Sequence, residues 1–182
     1  MNLNGKKVAI LATDGFEESE LTQPKEALEN AGATVHIVSP KSDSIKSWDV
    51  DDWGKDFSVD QPLNRAKVND YDLLVLPGGQ INPDKLRVEQ DALDFIKHFR
   101  ATGKPIGAIC HAPWLLAETG IARGRKLTSF KSIKTDLKNA GAHWVDESVV
   151  VDDNLITSRN PNDLPNFNEK LLEALTQERI TA

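Results

Sequence analysis

The single cysteine of the chain, Cys110, lies in Lys104-Pro-Ile-Gly-Ala-Ile-Cys-His-Ala-Pro-Trp-Leu-Leu116, where an apolar strand pattern gives way to a helix pattern. A free cysteine in a buried strand is commonly inert packing, but a thiol at a strand-to-helix junction reads as a nucleophile. Ala108 and Ala112 leave room for a sharp turn that lifts the sulfur off the sheet, in the manner of a nucleophile elbow. Helix-start N–H groups at that turn would favour thiolate over thiol and hold a developing oxyanion.

Other residues could complete the chemistry. Thr13-Asp-Gly-Phe-Glu-Glu-Ser19 sets two adjacent carboxylates at another strand-to-helix junction. Acids at a helix start already complement its dipole. If one instead faces Cys110, desolvation and the nearby thiolate would raise its pKa and let it donate a proton. Adjacent helical residues rarely share a target, so one of Glu17 and Glu18 is expected to point inward and the other outward. His111 is the candidate base, and its backbone N–H is one candidate oxyanion donor. Gly79, in Pro77-Gly78-Gly79, is the second. His36, His98 and His143 read as structural or solvated. One cysteine and four scattered histidines offer no close ligand pair, so neither a metal nor a cofactor is expected. Pro77-Gly78-Gly79 is neither a P-loop nor a full G-x-G-x-x-G, and Arg123-Gly-Arg-Lys126 reads as a solvated turn.

The elements that must position these groups alternate along the chain. Strands are predicted at 7–12, 33–39, 71–77, 105–109, 126–128, 144–151 and 155–158, with helices at 18–31, 83–102, 112–118, 133–139 and 165–175. The first βαβ unit implies parallel pairing with a right-handed crossover. Residues 41–69, with Trp48, Trp53 and Phe57 among charged residues, read as an insertion forming a hairpin or irregular excursion around Gly54. The pattern predicts an open α/β sheet with helices on both faces, and a site where the loops at 12–18, 77–79 and 109–113 meet.

At 182 residues the chain suits one domain spanning 1–182. A net charge of −6 without a long Lys/Arg run argues against nucleic acid or an anionic membrane as the main partner. No apolar run approaches the roughly 20 residues needed to span a bilayer. A lone cysteine rules out an internal disulfide framework, and with no secretion signal evident the expected location is cytoplasmic.

The motifs Asp14-Gly-Phe-Glu-Glu-Ser-Glu-Leu21, Leu74-Val-Leu-Pro-Gly-Gly79, Ala108-Ile-Cys-His-Ala-Pro113, Arg123-Gly-Arg-Lys-Leu-Thr128 and Thr157-Ser-Arg-Asn-Pro-Asn-Asp-Leu-Pro165 occur in that order. In that combination the whole chain resembles the ThiJ/PfpI superfamily, in its PfpI-like intracellular protease and stress-protein branch. The resemblance implies a flavodoxin-like three-layer sandwich, akin to class I glutamine amidotransferases, with a central mostly parallel sheet. It also implies Cys110 as nucleophile with His111 beside it, Glu17 hydrogen-bonded to the sulfur and Glu18 turned outward. Asp84 matches the acid that, in PfpI-type proteins, reaches the histidine of a neighbouring subunit. A homodimer or a hexamer of dimers follows from the same resemblance. The late histidine reads His143-Trp-Val-Asp-Glu147 rather than His-x-Glu, which argues against an amidotransferase.

Two enzyme readings follow, in both of which a Cys110 thiolate attacks a carbonyl. One is a glyoxalase or deglycase acting on reactive aldehydes such as methylglyoxal or their protein adducts. The other is an intracellular cysteine peptidase or amidase acting on a peptide. A third reading has no turnover: a redox sensor or stress chaperone whose thiol is oxidised.

Overall fold

Short apolar runs without polar interruption pair as parallel strands in the computed structural model, which describes residues 2–176. In chain order the elements are β1 (Lys7–Leu11), β2 (Phe16–Glu17), α1 (Glu18–Asn30), β3 (Thr34–Ser39), β4 (Ser44–Asp49), β5 (Asp52–Ser58), β6 (Gln61–Pro62), β7 (Leu73–Leu76), α2 (Ile81–Leu86) and α3 (Gln90–Ala101). There follow β8 (Ile106–Ile109), α4 (Pro113–Glu118), β9 (Lys126–Leu127), α5 (Lys134–Asn139), β10 (His143–Trp144), β11 (Val149–Asp152), β12 (Leu155–Ser158) and α6 (Leu164–Thr176).

The main sheet runs β11-β12-β8-β7-β1-β3-β6, parallel throughout except for the β11–β12 pair. Side chains alternate across each strand, so β1 feeds two cores. Ala9 and Leu11 pack with Ile96 and Phe99 of α3, Leu115 and Leu116 of α4 and Leu137 of α5. Val8 and Ile10 pack on the other face with Leu21 and Leu28 of α1 and Phe167 and Leu171 of α6. The result is the flavodoxin-like sandwich, helices on both sides of a mostly parallel sheet. From β1 the chain moves outward to β3, whereas β7, β8 and β12 build the opposite half. The crevice at such a reversal, beyond the carboxyl ends of the strands, is where open α/β sheets place ligands.

Several elements differ from the sequence reading. The helix expected at 83–102 is two helices, because Glu89 is extended and its carbonyl accepts from the N–H groups of Ala92 and Leu93 to begin α3. Leu86 and Leu93 enter the same core on either side of the break, so the apolar periodicity conceals it. The strand expected at 144–151 is interrupted: β10 pairs with β9, and β11 pairs separately with β12. Within 41–69, β4 and β5 form an antiparallel hairpin whose turn is at Val50, with φ 61°, rather than around Gly54. Gly54 lies inside β5, where a Cβ would come within 2.4 Å of Ser47 Oγ.

Candidate active site

Strand β8 ends at Ile109, and the next residue, Cys110, takes φ 64°. An L-residue in this left-handed region is strained, typically by about 1–3 kcal/mol, unless its surroundings fix it. Both backbone groups of Cys110 are fixed: its N–H donates to Ser158 O at 3.0 Å, and its carbonyl accepts from Phe130 N at 2.8 Å. The chain then turns through His111 and Ala112 into α4, with Pro113 at the first helical position. This is the geometry of a nucleophile elbow. The backbone N–H groups of His111 and Gly79 both bear on the sulfur and favour its charged form.

The acid against the sulfur is Glu20, and this corrects the expectation for Glu17. Glu20 has no exposed surface. Its Oε2 accepts from Gly78 N at 2.8 Å, while Oε1 has no nitrogen or oxygen partner. The carboxyl interacts directly with the Cys110 thiol. Burial pushes Glu20 up to about 8, and the nearby charge of Glu17 adds to this against the opposing Gly78 N–H. Burial also raises the Cys110 thiol, reinforced by repulsion from a charged Glu20. Once burial keeps the carboxyl protonated, that repulsion is gone and the same group becomes a hydrogen-bond donor. Since Oε2 is occupied as an acceptor, Oε1 is the oxygen left to carry the proton.

Glu17 is instead the residue before α1 and turns to the β4–β5 hairpin. Burial and the charges of Asp49 and Glu18 raise its pKa, while the Val50 N–H opposes them. Glu18 accepts from Ser47 Oγ at 2.7 Å and pairs with Lys55 at 3.4 Å, and these contacts hold its carboxyl low. Neither of the adjacent carboxylates is therefore assigned to the sulfur. The physical reason is helical spacing. Glu20, Leu21, Pro24 and Leu28 are the buried stripe of α1, so Glu20 falls on the face that meets the core. That stripe is the signal for Glu20 in the sequence, and the paired acids of the preceding loop lie off it.

Two glycines let the loop after β7 approach this closely. A Cβ on Gly78 would lie 2.6 Å from Cys110 Cβ and 2.6 Å from Glu20 Oε2. Gly79 has φ 73°, and a Cβ there would sit 2.5 Å from Gly15 O. Asn82, fully buried, fastens this loop. Its Oδ1 accepts from Thr13 N at 2.7 Å, and its Nδ2 donates to Pro77 O at 2.9 Å and Gly78 O at 3.2 Å. One amide thus joins the loop after β1, which leads into β2 and α1, to the loop after β7, which carries the Gly79 N–H.

His111 Nδ1 lies 3.2 Å from Cys110 Sγ, so these chain neighbours do meet. The imidazole is stacked on Phe130 at 4.7 Å and met edge-on by Trp114 at 5.2 Å, and burial lowers its pKa. Its Nε2 lies 3.1 Å from Ser132 Oγ, a contact the sequence did not suggest. Asp84 is exposed on α2, and its side chain makes no hydrogen bond or ion pair among the described residues. His36 meets the Tyr71 hydroxyl at 3.1 Å, and His98 and His143 are exposed, all away from the thiol. Among the described residues no three His, Cys, Asp or Glu side chains group as metal ligands, and no helix is long and apolar enough to cross a membrane.

A left-handed cysteine at the carboxyl end of a central parallel strand places this chain in a structural class: flavodoxin-like sandwiches of the class I glutamine amidotransferase type, with a thiol at the elbow. Within that class it belongs to the DJ-1/PfpI family, whose model matches residues 6–174. Uncharacterized protein SAV1875 of Staphylococcus aureus is 44% identical over 172 residues, covering 93% of this chain and 98% of its own length. Uncharacterized protein SERP1413 of Staphylococcus epidermidis is also 44% identical over 172 residues, with the same coverage of 93% and 98%. Among solved structures, Drosophila melanogaster DJ-1beta superposes with a TM-score of 0.86 at 32% identity, covering 98% of this chain and 92% of the fly chain. A two-domain protein of Anabaena variabilis, containing DJ-1/ThiJ/PfpI-like and ferritin-like domains, gives 0.87 at 34% identity over 97% of this chain. The present chain spans about half of that protein's length, 52%.

Proposed function

We propose that this DJ-1-like chain is a cytoplasmic, cysteine-dependent stress enzyme acting on small reactive aldehydes or their protein adducts, of the glyoxalase or deglycase type. The observation that carries the reading is the fully buried carboxyl of Glu20 beside the Cys110 thiol, with one oxygen unpartnered, where burial favours the protonated acid. His111 Nδ1, 3.2 Å from the sulfur, takes the thiol proton as the Cys110 thiolate adds to the aldehyde carbon, forming the C–S bond, and the carbonyl π electrons move to oxygen. The Gly79 and His111 N–H groups are the donors for that oxyanion. Glu20 supplies the proton that completes the hemithioacetal. For a 2-oxoaldehyde, the carbon-bound proton then moves to the neighbouring carbon while the hydroxyl proton passes to the neighbouring oxygen, which turns the hemithioacetal into a thioester. Water then releases the hydroxy acid and returns the thiol. No external oxidant or reductant is needed.

Burial favours an aldehyde over a peptide as substrate. Cys110 is 6% exposed and His111 8%, which suits a small carbonyl compound better than an extended chain. A homodimer or hexamer belongs to the same proposal, with Asp84 of a neighbouring subunit supporting His111; Asp84→Ala should then slow turnover without dissociating the oligomer. The deciding experiment assays the purified protein with methylglyoxal, a fluorogenic peptide and peroxide, each against Cys110→Ala. Lactate formation lost in Cys110→Ala supports the proposal. Cysteine-dependent peptide cleavage, or oxidation of the thiol with no turnover of either substrate, overturns it.

A further inference from the structure

Three groups stand in line from the interior to the surface. Sγ of Cys110 meets Nδ1 of His111 at 3.2 Å, and Nε2 of His111 meets Oγ of Ser132 at 3.1 Å. Cys110 and His111 are buried, whereas Ser132 is exposed. Phe130 and Trp114 clamp the ring by its face and edge, fixing both nitrogens toward these partners. We propose that Ser132 is a positioning residue that holds His111 in whichever tautomer the Cys110 sulfur requires and links the thiol to solvent through a proton relay.

A neutral imidazole has one N–H and one bare nitrogen, and burial of His111 favours the neutral ring. When Cys110 is a thiol, S–H donates to bare Nδ1, and Nε2–H donates to Ser132 Oγ. When Cys110 is a thiolate, Nδ1–H donates to sulfur, and Ser132 O–H donates to bare Nε2. Passing between the two breaks S–H, Nε2–H and the original Oγ–H bonds. It forms Nδ1–H, a new Oγ–H and an O–H bond to water. One proton leaves the thiol for solvent, and the ring stays neutral at both ends. A hydroxyl, as both donor and acceptor, serves either state, which a carbonyl or an ammonium could not do. The charged groups around the ring come from each neighbouring element. Glu20 of α1 stands beside the sulfur, Arg87 and Asp136 both engage Trp114, and Lys131 precedes Ser132 in the chain.

The inference rests on the proposed cysteine chemistry, so its test reads the thiol and the ring rather than turnover. Iodoacetamide alkylation of Cys110 is followed against pH in the full chain, in Ser132→Ala and in Ser132→Thr. Nitrogen NMR of the labelled ring reports its tautomer over the same range. In the unmodified chain the Nδ1–H form should grow in step with the thiolate. Losing the hydroxyl removes one hydrogen bond from each form, but the bond lost from the thiolate form belongs to a chain that ends on an anion and is the stronger by about one ordinary hydrogen bond, so Ser132→Ala should alkylate roughly fivefold more slowly near neutral pH. Ser132→Thr should restore the rate to within about twofold, because the hydroxyl is kept. A ring that holds one tautomer throughout, or Ser132→Ala alkylating as fast as the unmodified chain, overturns the relay. If no aldehyde turns over while these responses persist, the catalytic reading fails and the relay stands.

Discussion

Replacing Glu20 by glutamine tests the central electrostatic argument through folding alone. The native carboxyl is held at about 8 against an ordinary value of 4.5, chiefly by burial. Between those values the native state keeps a proton that the unfolded chain has released. Stability therefore falls as pH rises: the contribution is complete below pH 4.5 and lost by about pH 8. Three and a half pH units of such linkage correspond to at most about 5 kcal/mol. Glutamine carries no titrating proton and can still accept from the Gly78 N–H, so Glu20→Gln should lack this slope. The comparison is made in a Cys110→Ser background, which removes the coupled titration of the thiol. Urea denaturation at intervals from about pH 5 to about pH 8 should show Glu20→Gln overtaking its parent as pH rises. Parallel stability curves would mean that Glu20 is ionised in the fold, and its role as proton donor would be refuted.

Glu17→Gln should leave the Cys110 alkylation profile essentially unmoved, within about 0.3 pH units, because Glu17 faces the hairpin; a profile displaced as far as that of Glu20→Gln would return Glu17 to the sulfur. Asn82→Ala removes the partner of Thr13 N and two carbonyls. Denaturation should show a loss of about 2–4 kcal/mol, larger than a surface truncation gives. Cys110→Gly should be more stable than Cys110→Ala by about 1 kcal/mol, since only glycine adopts φ 64° without strain. Equal midpoints for that pair would show that the elbow stores no backbone energy.

The thiol elbow was legible because every device that makes it is local. An apolar strand, small residues flanking the cysteine and a proline to start the helix all stand within a few positions of Cys110. Gly79 was legible for a similar reason, in a loop closing a buried strand. Glu20 was hidden by its neighbours: three acids within four residues draw attention to the adjacent pair, and only the helical register with Leu21, Pro24 and Leu28 separates the buried one. Ser132 and Asn82 were beyond reach, since their contacts join segments 21 and 69 residues apart. The break between α2 and α3 escaped because both helices serve one core and no glycine or proline marks it.

The β4–β5 hairpin grips the opening of α1 through both of the adjacent carboxylates, and Phe57 of its second strand abuts Phe16 with ring centres 5.4 Å apart. Less than one helical turn separates those anchor points from the carboxyl beside the sulfur. An outlying arm, far from the sheet's centre, therefore has a short mechanical lever on the reactive thiol.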